Sequence, residues 1–108
     1  MTIFVVEGKH VTLYPDTEIQ KDELIVWMFG EEDNLIAQMT VRSRGTFDGA
    51  DGRFRDRLKL DENTGSLTIR NIKSEHAGHY KLQISSGSRR TKYKKFKVIT
   101  WFHGKQCE

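Results

Sequence analysis

Gly65-Ser66-Leu67-Thr68-Ile69-Arg70, then Ile72-Lys73-Ser74-Glu75-His76-Ala77-Gly78, then His79-Tyr80-Lys81-Leu82-Gln83-Ile84-Ser85: the fold is decided in this stretch. Leu67 and Ile69 alternate with polar neighbours, and so do Tyr80, Leu82 and Ile84. A period of two places each set on one side of an extended strand. The segment between them is polar, ends in Ala77-Gly78, and is too short for a stable helix. Two strands joined by a short crossover follow from this pattern.

The same rhythm continues in both directions. Upstream, Arg57-Leu58-Lys59-Leu60 alternates strictly and is closed by the turn Asp61-Glu62-Asn63-Thr64-Gly65. At the start, Thr2 to Val6 reads as a strand ended by Glu7-Gly8-Lys9, and His10 to Tyr14 as a second with Val11 and Leu13 on one face. Pro15 stops it, because proline has no N–H for a ladder. Asp16 to Asp22 is a loop, and Leu24 to Phe29 is nearly all apolar, as a central strand should be. Gly30-Glu31-Glu32-Asp33 is an acidic turn, and Asn34 to Val41 returns as a strand. Residues 42 to 53 are loop or ragged edge. Ser86-Gly87-Ser88 is a hairpin turn, and Arg89 to Thr100 is the last strand. About eight or nine short strands with regular turn signals predict an all-β sandwich of two antiparallel sheets with Greek-key connections. One domain is expected over residues 1–100, with 101–108 as a tail or linker. Its core is expected around Trp27, Tyr80 and Leu82, with Leu67, Ile69, Leu58, Leu13 and Val11.

Several classes of function find no support. The 108 residues are 36% hydrophobic and 31% charged with a net charge of +3, which suits one globular domain. No apolar run approaches the ~20 residues that span a bilayer, so any membrane anchor is expected outside these residues. Cys107 is the single cysteine and cannot form an internal bridge; an exposed thiol and a link to another chain both stay open. His10, His76, His79 and His103 show no metal-ligand spacing, and no cofactor is expected. Ser, His and Asp are present without a nucleophile elbow, so the chain is not expected to be an enzyme. Arg89, Arg90, Lys92, Lys94, Lys95 and Lys97 make a dense basic run. Such a run can simply keep a strand from edge-to-edge pairing. Nucleic acid would need aromatic platforms beside the charge, but Phe96 shares parity with Val98 and points inward; no nucleic-acid partner is expected.

Taken together, Gly8-x-x-Val11-Thr12-Leu13, Trp27, Leu67-Thr68-Ile69 and His76-Ala77-Gly78-His79-Tyr80-x-Leu82 resemble the immunoglobulin variable set. The resemblance covers roughly residues 2 to 100 and implies that Trp27 is the core tryptophan of strand C and Tyr80 a tyrosine corner. The family's disulfide cysteines would fall at Pro15 and Leu82. The missing bridge, commonly worth ~2–4 kcal/mol, must be offset by apolar packing around Trp27 and Leu82. His76 stands where the family has an acidic residue that pairs with an arginine near strand D. Arg57 is the counterpart of that arginine, and Glu75 is the acid that could substitute. A variable-type domain without the bridge is similar to the N-terminal domains of lymphocyte adhesion and signalling receptors of the signalling lymphocytic activation molecule (SLAM) type. Asp56-Arg57-Leu58-Lys59-Leu60-Asp61 and Tyr80-Lys81-Leu82-Gln83-Ile84 also look like that group.

That resemblance implies an extracellular, cell-surface domain that binds protein through its GFCC′ sheet, either itself as a weak homodimer or a related immunoglobulin-superfamily receptor. If Ile25, Trp27 and Phe29 face the core, Val26 and Met28 face outward. The expected binding face is therefore Val26 and Met28 at the centre, Lys81, Gln83, Lys95 and Lys97 as a basic flank, and Glu31, Glu32 and Asp33 as an acidic tip. The rival reading is an intracellular structural immunoglobulin module of the muscle-protein type, which should carry a polar face instead. The sequence holds no Asn-x-Ser/Thr glycan acceptor to weigh on either side.

Overall fold

The computed structural model describes residues 1–40, 42–49, 51–87 and 90–102. Among the described residues nine strands build two sheets: β1 (Thr2–Val6), β2 (Val11–Leu13), β3 (Leu24–Phe29), β4 (Asn34–Met39), β5 (Arg44–Thr46), β6 (Leu58–Leu60), β7 (Leu67–Ile69), β8 (Gly78–Ser85) and β9 (Lys92–Trp101). The larger sheet runs β1-β9-β8-β3-β4-β5 and the smaller β2-β7-β6. The expected sandwich is present, with one pair unlike the rest: β1 lies parallel to β9 and so joins the larger sheet. The expected ends at Val41, Ser88 and Arg89, the residue Ala50, and His103 and Cys107 in the tail lie outside the described residues.

The core is the inner face of each strand. Val11, Leu13, Ile25, Trp27, Leu58, Leu67, Ile69, Tyr80, Leu82, Phe96 and Val98 are all buried. Where the family's disulfide would sit, Leu82 lies cross-strand from Trp27, and the Trp27 and Phe96 rings are 5.5 Å apart. The indole N–H donates to the Gly65 carbonyl at 2.9 Å, so the buried nitrogen is satisfied. Gly65 has φ +75°, a conformation in which any other side chain would be strained. Lys94 closes this end: its ammonium lies 3.5 Å from Asp16 and 5.2 Å from the Phe96 ring centroid.

The crossover between β7 and β8 is built as expected around Tyr80. A single 3-10 turn, Ser74–His76, presents the His76 carbonyl, which accepts the buried Tyr80 hydroxyl. Burial raises the pKa of that hydroxyl well above the ordinary phenol value.

The arginine–acid pair differs from expectation. Arg57 does not meet Glu75; its guanidinium donates to the carbonyls of Asn71 and Arg70. His76, fully buried, takes over the tie between segments: Nδ1 accepts from the Lys73 N–H at 2.9 Å, and Nε2 donates to the Arg53 carbonyl at 2.7 Å. An imidazole can accept at one nitrogen and donate at the other only while neutral. Desolvation lowers its pKa below the ordinary value of 6.5 in keeping with that state.

Candidate protein-binding face

Four strands of the larger sheet set the candidate site. Because β9, β8, β3 and β4 are antiparallel neighbours, the residues facing away from the core fall into rows across the sheet. One row runs Tyr93, Gln83, Val26, Gln38; the next runs Lys95, Lys81, Met28, Leu35. His79 and Lys97 stand opposite each other in the row beyond. Val26, Met28, Lys81, Gln83 and Lys95 are thus brought together as expected, with Lys97 at their margin.

Val26 and Met28 are half-buried and do not stand alone. Leu35, 40% exposed, lies beside Met28, and Tyr93, 61% exposed, stands beyond Gln83 on the β9 side of the face. Sequence reasoning missed Leu35 for a physical reason. A bulge follows Trp27, so that Trp27 pairs with Ala37 but Met28 pairs with Leu35. The intervening Ile36 is the extra residue, and both it and Ala37 are buried. Period two fails in β4, and Leu35 turns outward. Tyr93 was within reach, because it shares parity with Lys95 and Lys97.

The charged tip is shaped by the turn between β3 and β4. Gly30 and Asp33 take positive φ, and the Asp33 N–H returns to the Gly30 carbonyl at 3.2 Å. Glu31, Glu32 and Asp33 are all exposed there. Asp33 is not wholly available to a partner, because its carboxylate holds the Lys81 ammonium at 3.0 Å. The same ammonium lies 5.9 Å from the Tyr93 ring centroid. Lys95 and Lys97 have no carboxylate partner among the described residues. A shallow hollow of about 300 Å³ opens between Glu31, His79, Lys81 and Lys95, where acidic tip and basic flank meet.

Beside the tip, Arg53 clamps Asp51 through several bonds, the shortest 2.8 Å, and donates to the Glu75 carbonyl at 2.9 Å. These bonds hold the Asp51 carboxyl down to about 2. No group of three or more His, Cys, Asp or Glu side chains could hold a metal among the described residues, and no helix there is long and apolar enough to cross a membrane. A flat face of apolar centre and charged rim is suited to another protein's surface.

Residues 1–103 match the immunoglobulin V-set domain. The chain belongs to this family. Among solved V-set and related structures, the first Ig-like domain of human CD48 antigen superposes with a TM-score of 0.80 at 19% identity, covering 99% of this chain and 86% of that one. CD84, of the SLAM family, gives 0.69 at 20% identity over 94% and 97%. The CD2-binding domain of CD58 gives 0.69 at 24% identity over 92% and 52%. This V-set domain therefore shares its fold with SLAM-type domains, and it lacks the cysteine pair of the inter-sheet bridge. A search of curated proteins found no match.

Proposed function

We propose that this V-set domain is an extracellular recognition or adhesion domain of an immune-type cell-surface receptor. Its partner is a protein, either a second copy or a related immunoglobulin-superfamily receptor, and it binds on the outer face of β9, β8, β3 and β4. The observation that carries the reading is the apolar cluster Val26, Met28 and Leu35, with the exposed Tyr93 ring beyond Gln83, between a basic flank and an acidic tip. An intracellular structural module has no need of an exposed leucine and tyrosine on that face.

Two such faces about a two-fold axis can set Lys95 and Lys97 of one copy against Glu31 and Glu32 of the other, the self-complementarity a symmetric contact requires. The apolar cluster supplies affinity, and the rim charges set register and on-rate. The test is a charge swap followed by analytical ultracentrifugation. Reversing Glu31 and Glu32 to lysine should abolish association through this face, and mixing with a chain in which Lys95 and Lys97 are glutamate should restore it. A swap pair that binds no better than either reversed chain with wild type overturns the arrangement.

A further inference from the structure

The two edges of the larger sheet are not alike. β5 is three residues long and carries Arg44, which bonds Glu62. A short, charged strand of this kind resists pairing with another chain. β1 is Thr2-Ile3-Phe4-Val5-Val6, five residues without a charge, a proline or a glycine. Its other side is covered by β9 alone within the sheet.

Which backbone groups of β1 are free follows from the ladder. The Lys97 N–H donates to the Met1 carbonyl at 2.8 Å, and the Glu7 N–H donates to the Trp101 carbonyl at 2.9 Å. In a parallel pair every second residue turns both its N–H and its C=O to the partner. The odd-numbered residues from Met1 to Glu7 therefore face β9. Thr2, Phe4 and Val6 present their amide groups to the open edge, where among the described residues only the Val6 carbonyl has a bond, from the Lys9 N–H at 3.2 Å.

We propose that this edge pairs with β1 of a second copy, antiparallel about a two-fold axis at Phe4. In that register Thr2 meets Val6, Ile3 meets Val5 and Phe4 meets itself. The pairs are β-branched on β-branched and aromatic on aromatic, the kinds that stabilise antiparallel ladders, and no like charges are opposed within the paired strands. The outward amides of Thr2, Phe4 and Val6 all find carbonyls. On the outer surface Phe4, 68% exposed, lies beside Ile99, and Val6 beside Trp101, itself 50% exposed. Pairing joins the two copies' aromatic patches into one.

A two-fold axis normal to the sheet leaves both outer faces turned the same way. Two copies joined here form one continuous sheet and present two binding faces side by side, which raises avidity toward any surface that displays the partner in pairs. The pairing does not rest on the function proposed above.

The test is sedimentation combined with amide exchange of the full chain by NMR. Wild type should form dimers as concentration rises, with exchange at Thr2, Phe4 and Val6 slowing in step, while Ile3 and Val5 are protected throughout. Phe4→Pro removes an outward N–H without touching the β9 ladder, and Phe4→Lys sets two ammonium groups against each other; both should lose the dimer. Circular dichroism checks that each remains folded, and Phe4→Lys carries the test if the proline variant does not. Met28→Asp, which strikes the proposed binding face, should keep the edge dimer. Concentration-independent exchange at Thr2, Phe4 and Val6, or a Phe4→Lys chain that sediments like wild type, overturns the pairing. So does loss of the dimer in Met28→Asp alone, which would assign association to the face.

Discussion

Tyr80→Phe removes one oxygen from a buried polar contact of the sandwich. The ring itself should stay. It is 1% exposed and lies 4.8 Å from the Phe29 centroid and 6.2 Å from that of Phe54, and phenylalanine fills nearly the same volume. What is lost is the hydrogen bond to the His76 carbonyl. A buried acceptor left without its donor costs about 1–3 kcal/mol. Small domains unfold in urea with slopes of about 1–3 kcal/mol/M, so the midpoint should fall by roughly 1 M. In a thermal scan each kcal/mol is worth about 4 °C or somewhat more for a domain of this size, a drop of roughly 4–12 °C. Tyr93→Phe is the control, because the Tyr93 ring is 61% exposed and its hydroxyl makes no hydrogen bond among the described residues. Urea melts followed by tryptophan fluorescence measure both. An unchanged midpoint in Tyr80→Phe, or an equal loss in Tyr93→Phe, would show that the hydroxyl does not tie the crossover to the core.

Acidification should weaken the fold through His76. Its folded pKa lies below the unfolded value, so the unfolded chain binds the proton more readily, and stability present above pH 6.5 is lost as pH falls below it. Melting temperatures between pH 7.5 and 5 should fall more steeply in wild type than in His76→Gln, and parallel slopes would refute the assignment. In Arg53→Ala the Asp51 carboxyl should titrate near the ordinary aspartate value instead of about 2, as read by carboxyl NMR; no movement would mean that the clamp is not its cause. Association through the candidate face should weaken with salt, because its rim charges are exposed and screened over about 8 Å at physiological ionic strength. Leu35→Asp should reduce association at all salt concentrations without lowering stability by more than about 0.5 kcal/mol; binding that survives it would remove Leu35 from the face.

Alternation alone was enough for much of the domain. Wherever one side of a strand is buried and the other wet, period two records the sheet's two sides directly in the sequence. Leu67 and Ile69, Leu58 and Leu60, and Tyr80, Leu82 and Ile84 were therefore legible as core, and Ile25, Trp27 and Phe29 fixed Val26 and Met28 as outward. The Tyr80 corner was expected from the resemblance to the variable set, and the hydroxyl finds its acceptor four residues away in His76. Three features were not. The bulge after Trp27 inserts Ile36 and reverses the outlook of Leu35, and bulges depend on a neighbouring strand that the local sequence does not name. The pairing of Asp33 with Lys81 joins residues 48 positions apart, through the β3–β8 ladder. The choice of β9 as the neighbour of β1, and with it the open edge at Thr2, Phe4 and Val6, was likewise decided only in three dimensions. A strand's own residues specify which of its sides is dry, but its hydrogen bonds run sideways, to partners that only the folded chain brings alongside.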